Sequence, residues 1–60
     1  MDFKIDFEDA EYISNKIISG KLSADALTQR IGRALRKEDP SYYFTLKFAQ
    51  ALVAYKRKVK

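Results

Sequence analysis

Residues 41–59 read SYYFTLKFAQALVAYKRKV, and this stretch predicts a helix that carries two apolar stripes. The stripes emerge when successive side chains are placed about 100° apart around a helix axis. The first stripe consists of Phe44, Phe48, Ala51, Leu52, Tyr55 and Val59, and the second consists of Tyr42, Leu46, Ala49 and Val53. An ordinary surface helix has one apolar stripe, which faces the core. The double stripe therefore predicts a helix that is covered from two sides.

Two arrangements explain the double stripe. In one, both stripes pack inside the monomer, with the first helix on one side and the second helix on the other. In the other, one stripe faces the chain's own core and the second forms the interface of a two-fold homodimer. We favour the homodimer because sixty residues without cysteine give a small core that has no disulfide to support it. The residues predicted for self-association are Tyr42, Phe44, Leu46, Phe48, Val53 and Tyr55.

Boundary signals divide the rest of the chain into two further helices. Asp6, Ser23 and Asp39 are suitable N-cap residues, and Pro40 suits the first position of a helix because no backbone donor is needed there. Gly20 tolerates the left-handed backbone that often ends a helix. We therefore predict an all-α, three-helix domain over residues 1–60. The predicted helices cover residues 7–19, 23–38 and 40–59.

Helical spacing also predicts which side chains of the first two helices form the core. The predicted core residues are Ala10, Ile13 and Ile17 in the first helix and Ala24, Leu27, Ile31, Ala34 and Leu35 in the second. Gly32 lies inside the second helix, where glycine costs about 1 kcal/mol relative to alanine. We attribute this glycine to the close approach of another helix; a helix stop at Gly32 is the alternative.

The N-terminal residues alternate between apolar and charged side chains. Phe3, Ile5 and Phe7 alternate with charged residues, and this period of two is typical of a strand. The chain has no second strand-like segment, and a lone strand is not stable in water. Residues 1–6 therefore pair with a second copy, dock as an extended apolar arm or join the first helix. We expect the docked arm.

The composition argues against catalysis and against bound metals or cofactors. The chain has no histidine and no cysteine, and its two glycines stand alone instead of forming a phosphate-binding loop. An acidic cluster over residues 6–11 lacks the glycine and the ligand spacing of a calcium loop, so we assign it to the start of the first helix. We predict no catalytic residue, no metal site and no cofactor. The lack of cysteine and of a long apolar run leads us to expect a cytoplasmic protein.

Basic residues concentrate in the second half of the chain. The first thirty residues carry four basic and six acidic side chains, whereas the last thirty carry eight basic and two acidic ones. Arg30, Arg33 and Lys37 follow at steps of three and four, which places them along one flank of the second helix. Such a basic ridge attracts acidic proteins or phosphate. The predicted partner or nucleic-acid surface comprises Arg30, Arg33, Lys37, Lys47, Arg57 and Lys58.

Two specific DNA-binding folds fit the sequence poorly. A helix-turn-helix would bring Glu38 and Asp39 close to the DNA, and a ribbon-helix-helix dimer would direct Asp2 and Asp6 into the groove. Non-specific or RNA binding by the basic ridge, with Tyr43 as the stacking residue, is the alternative that we retain. A membrane-surface helix is disfavoured because the apolar surface of residues 41–59 is split into two stripes.

These observations favour a non-catalytic protein-interaction module. We expect a small stoichiometric regulator, inhibitor or adaptor that binds an unidentified partner protein and that is itself a homodimer. A nucleic-acid-binding protein is the alternative. The first expectation depends on the double stripe, and the second depends on the basic ridge.

Overall fold

The computed structural model describes residues 4–59, which form three α-helices joined by two short connections. α1 spans Phe7–Ile18, α2 spans Ala24–Arg36 and α3 spans Pro40–Lys58. The prediction of an all-α fold with three helices is confirmed. The predicted ranges extend one or two residues beyond the observed helices because they included cap and turn residues.

Each helix follows an N-cap residue whose side chain accepts a hydrogen bond from a backbone N–H of the first turn. The carboxylate of Asp6, the hydroxyl of Ser23 and the carboxylate of Asp39 each accept a hydrogen bond from the backbone N–H three residues later, at 3.0, 3.0 and 3.2 Å. Pro40 occupies the first turn of α3, as its missing N–H allows. These four residues fix where the helices start, because a side-chain cap contributes about 1 kcal/mol to helix stability.

α1 and α2 end in the same way but with different residues in the left-handed position. Gly20 has a φ of 84° after α1, and Glu38 has a φ of 55° after α2. In both turns, this residue and the one after it donate backbone hydrogen bonds of 2.8–3.2 Å to carbonyls of the preceding helix. The first of these stops was predicted from its glycine. The second was not, because glutamate rarely adopts a left-handed backbone.

α3 is the central element because both other helices pack against it. α1 runs in the same direction as α3, since its start lies beside Phe48 and its second turn lies beside Lys56. α2 runs in the opposite direction, since Leu27 lies near Val53 and Ala34 lies near Tyr43. The Cα atoms extend over 36 × 20 × 15 Å. With helix axes about 8–10 Å apart, the smallest dimension corresponds to two layers, so α1 and α2 lie over one face of α3.

Only one of the two stripes of α3 faces the core. Leu46, Ala49 and Val53 of the second stripe are buried against α1 and α2. In the first stripe, Phe48 and Leu52 are half-buried against the core, and the remaining members are exposed. The second stripe therefore packs inside the monomer except for Tyr42, and the first stripe does so only at Phe48 and Leu52.

The predicted cores of α1 and α2 both require correction. Ala10, Ile13 and Ile17 are buried as predicted, but Ser14 is also fully buried on the same face of α1. In α2 Leu27 and Ala34 are buried and Ile31 is half-buried, whereas Ala24 and Leu35 are exposed. Leu35 lies about 100° around the helix from Ala34 and is 62% exposed.

A buried polar contact between α1 and α3 replaces part of the expected apolar packing. Thr45 is buried, and its hydroxyl accepts a hydrogen bond from the backbone N–H of Asp6 at 3.0 Å. Lys56, about three turns further along, reaches Glu11 and the hydroxyl of Ser14 on α1. Within residues 4–59, every buried side-chain nitrogen or oxygen has a hydrogen-bond partner. The strip of α3 that contains Thr45 and Lys56 is therefore covered by α1.

The segment before α1 lies alongside the first turns of α3. Residues 4–6 are neither helix nor strand, and the backbone N–H of Lys4 donates to the hydroxyl of Ser41 at 3.1 Å. Ile5 is half-buried in this segment. The predicted arm also includes residues 1–3, which lie outside the described part of the chain.

Gly32 does not mark a close helix contact, contrary to the prediction. A Cβ atom placed on Gly32 would meet only Nη1 of Arg36, at an ordinary contact distance of 3.9 Å. The residue lies in the middle of α2 with helical backbone. The glycine therefore weakens the helix without relieving a clash.

Replacing Gly32 with alanine is expected to stabilise the protein by about 0.5–1 kcal/mol, because alanine loses less backbone freedom in a helix. Urea unfolding followed by far-UV circular dichroism measures this change. The matched control is Gly20→Ala, which places a side chain at a φ of 84° and should destabilise the protein. A loss of stability in Gly32→Ala would show that this position has a packing role that the structure lacks.

Candidate functional site

An apolar strip runs along the face of α3 that the other helices leave uncovered. We call it the outer strip, and its members are Phe7, Phe44, Phe48, Ala51, Tyr55 and Val59. The rings of Phe7 and Phe48 meet edge to face with their centroids 5.0 Å apart, which joins the start of α1 to the strip. Phe7 is 60% exposed, Phe44 38% and Tyr55 63%. Steps of three and four place the α3 members one above another, so the strip is continuous.

Charged residues of opposite sign border the outer strip. Lys47 and Lys58 are exposed, and each follows a strip residue by three positions, so they lie along one edge. Glu8 and Glu11 of α1 are exposed along the other edge, where Lys56 pairs with Glu11 at 2.6 Å. The strip therefore has one cationic edge and one edge that carries two carboxylates.

Three of the predicted basic residues line a single groove beside α2. Arg30, Arg33 and Lys37 form its α2 wall, and Tyr42 of α3 lies in the same lining. The groove has a volume of about 500 Å³ and also includes Ala34 and Asp39. We call it the basic groove. All three cationic residues and Tyr42 are exposed, so the groove is open to solvent.

The other predicted cationic residues lie elsewhere. Lys47 and Lys58 are on the edge of the outer strip, and neither lines the basic groove. Arg57 lines a smaller cavity of about 210 Å³, together with Ile17 and Leu27, at the opposite end of α2. The predicted surface is therefore three separate sites, of which only the basic groove gathers several cations.

The structure also separates the residues predicted for self-association. Leu46 and Val53 are buried by the chain's own helices, so they are not available on the surface of this fold. Tyr42 lies in the basic groove. The remaining three, Phe44, Phe48 and Tyr55, belong to the outer strip. Residues of both stripes were predicted for self-association because helical spacing does not reveal which stripe the other helices cover.

A second apolar surface adjoins the outer strip near the start of α3. Leu35 is 62% exposed and lines a cavity of about 420 Å³ together with Pro40, Tyr43 and Phe44. The ring of Tyr43 meets that of Phe44 edge to face, with centroids 5.1 Å apart. Tyr43, which was predicted to stack on bases beside the basic ridge, therefore lies in this apolar cavity. Tyr42 takes its place beside the cations.

The described part of the chain shows no metal-ligand cluster. Residues 4–59 contain no group of three or more carboxylates positioned to hold a metal ion together. None of the helices in this range combines the length and the apolar character that crossing a membrane requires.

The outer strip and the basic groove lie on different sides of α3. Tyr42 is on the stripe that contains Leu46, whereas Phe44 and Tyr55 are on the opposite, uncovered face. Occupation of one surface therefore leaves the other accessible. Comparison of the chain with protein-family models, curated proteins and solved structures finds no match.

Proposed function

We propose that this protein is a non-catalytic interaction module that forms a homodimer through the outer strip and acts stoichiometrically on a partner protein. The observation that carries the proposal is the row of exposed aromatic side chains on the uncovered face of α3. Leaving such a row in water is unfavourable, because burying apolar surface lowers the free energy by roughly 25 cal/mol per Å². A second copy of the chain offers a matching apolar surface.

The size of the outer strip supports an interface. With aromatic side chains of about 150–250 Å² each, the exposed fractions of Phe7, Phe44 and Tyr55 correspond to about 300 Å² of aromatic surface. Ala51 and Val59 add further apolar area along the same face. Continuous apolar patches of about 300–600 Å² on a monomer often mark a binding site.

The charged edges favour a parallel arrangement of the two α3 helices. A two-fold axis parallel to α3 places the edge with Lys47 and Lys58 against the partner's edge that carries Glu8 and Glu11. In an antiparallel pair, the cationic edge of one copy would instead face the cationic edge of the other. The two carboxylate edges would also face each other, so like charges would meet. Charges at an interface rim contribute little affinity but select the orientation of docking.

In this proposal the dimer binds a partner protein at the cavity beside Leu35, which adjoins the outer strip. The cavity lies at one end of the strip, and Phe44 lines both. A parallel dimer keeps its two copies of this cavity at one end of the assembly. We place the partner-binding surface there, because exposed Leu35 and Pro40 offer apolar contacts next to the proposed dimer interface.

Replacing Tyr55 with serine is expected to raise the dimer dissociation constant about tenfold or more, because losing a central interface aromatic costs about 2 kcal/mol and each 1.4 kcal/mol is about tenfold. Sedimentation velocity over a concentration series measures the shift between the 7.0 kDa chain and its dimer. The matched control is Tyr12→Ser, which removes a tyrosine of similar exposure, 59%, from α1.

Both variants should remain folded, since Tyr12 and Tyr55 are more exposed than buried. The wild-type chain should dimerise, Tyr12→Ser should dimerise equally well, and Tyr55→Ser should dissociate at higher concentrations. A wild-type chain that stays monomeric throughout the series would reject the homodimer. Equal weakening by the two substitutions would place the interface elsewhere than on the outer strip.

A further inference from the structure

The basic groove has a shape and a charge that the proposed dimer does not use. Arg30 and Arg33 lie in α2 and Lys37 is its C-cap residue, so the three span seven steps along the chain, or about 10 Å at 1.5 Å per residue. Their steps of three and four direct all three side chains along one flank of the helix. The cations therefore form a row, and a row matches a ligand with several negative charges in sequence better than it matches a single anion.

Among residues 4–59, Asp39 is the one acidic residue in the lining of the groove. Its carboxylate accepts the backbone N–H of Tyr42 at 3.2 Å and caps α3, so it is directed toward the positive end of that helix. Three cations against one carboxylate leave the groove with a net positive charge. Glu38, the neighbouring acidic residue, lines the apolar cavity on the other side of α2.

The aromatic ring of Tyr42 in the groove favours a ligand that has a flat base as well as negative charges. Tyr42 is 37% exposed, so part of its surface remains accessible beside the cations. A flat base stacks on an aromatic ring, whereas an acidic peptide would contact the cations and leave the ring unmatched. The volume of about 500 Å³ lies within the roughly 300–1,000 Å³ typical of ligand sites.

We propose that the basic groove binds a single strand of nucleic acid, with phosphates along Arg30, Arg33 and Lys37 and a base stacked on Tyr42. The row is about 10 Å long, so it can contact more than one phosphate of the same strand. A duplex keeps its bases stacked within the helix, so it cannot offer a base to Tyr42. This binding is independent of the dimer, because the groove and the outer strip lie on different sides of α3.

Fluorescence anisotropy with a short fluorescein-labelled oligouridine tests the groove in the full-length chain. Arg30→Gln combined with Arg33→Gln should weaken binding about tenfold or more at low salt. The same change should reduce the slope of log affinity against log salt by about 1.4, since each lost contact to a single strand contributes about 0.7. The control is Arg36→Gln combined with Lys21→Gln, which removes the same charge from exposed positions outside the groove.

Two substitutions of Tyr42 distinguish base stacking from simple charge attraction. Tyr42→Ala should weaken binding by about fivefold or more, in line with the loss of one base-stacking platform. Tyr42→Phe retains the ring and should bind within about twofold of the wild-type chain, because stacking depends on the ring and not on the hydroxyl. Circular dichroism confirms that each variant is folded, which we expect because every substituted side chain is exposed.

Several results would overturn the proposal. One is the absence of oligouridine binding at low salt, and another is equal weakening by the control pair, which would reflect net charge alone. Displacement of the oligonucleotide by polyglutamate at equal charge concentration would identify an acidic protein as the ligand instead. Tighter binding of a duplex than of the single strand would also contradict the stacking role of Tyr42. None of these results depends on the outcome for Tyr55→Ser.

Discussion

Replacing Leu46 with alanine is expected to lower the free energy of unfolding by about 3 kcal/mol, within the range of about 2–5 kcal/mol for a buried leucine. Leu46 has no exposed surface and lies where α1 and α2 both cover α3. A chain of this length has a total stability on the order of 3–9 kcal/mol, at about 0.05–0.15 kcal/mol per residue. Leu46→Ala therefore removes a large share of the stability, and Leu46→Asp should leave no folded protein.

Urea unfolding followed by far-UV circular dichroism measures the effect, and Leu35→Ala is the matched control. Leu35 is a leucine of α2 that is 62% exposed, so its truncation should change stability by less than about 0.5 kcal/mol. Equal losses in the two variants would mean that Leu46 is not a core residue. The same would follow if Leu46→Ala remained fully folded and only dissociated, since that is the behaviour of a residue at a dimer interface.

The local features of the fold were predictable because they depend on neighbouring residues. Asp6, Ser23 and Asp39 were recognised as caps because each precedes a helical pattern and has a side-chain oxygen that reaches the first turn. Gly20 was recognised because glycine is favoured in a left-handed turn. Glu38 takes the same backbone conformation without such a signal, so the end of α2 was placed two residues late.

The surfaces were harder to predict because they depend on how the helices are rotated against one another. A difference of one position moves a side chain by about 100° around a helix. For this reason Tyr43 was assigned to the basic ridge although Tyr42 lies there, and Leu35 was assigned to the core although only Ala34 is buried. The two stripes of α3 look alike in sequence, and only the position of α1 and α2 distinguishes the inner stripe from the outer strip.

The contact between Lys56 and α1 illustrates what the sequence could not reveal. The ammonium group of Lys56 donates to the Glu11 carboxylate at 2.6 Å, to Asn15 Oδ1 at 2.8 Å and to Ser14 Oγ at 3.0 Å. All three acceptors lie more than forty residues away in sequence. No local pattern links them, because the pairing arises only when α1 packs in parallel against α3.

Replacing Lys56 with glutamate is expected to lower the free energy of unfolding by about 1.5–2 kcal/mol. The change removes charge-assisted hydrogen bonds worth about 1.5–3 kcal/mol when fully shielded, and it places two carboxylates together. Both side chains are partly exposed, so screening by water keeps the loss near the lower part of that range. Urea unfolding measures it, with Lys58→Glu as the control, since Lys58 is exposed on the outer edge of α3.

Combining Glu11→Lys with Lys56→Glu restores an opposite-charge pair and should recover most of the stability that the single changes remove. A double-mutant cycle of the four proteins gives the coupling energy directly, and neighbours in such a cluster couple by about 0.5–3 kcal/mol. The coupling should fall at high salt because the pair is partly exposed. If Lys56→Glu costs no more than Lys58→Glu, or if the exchanged pair recovers nothing, then α1 is held to α3 by the apolar contacts of Ile13 and Ile17 and not by this polar cluster.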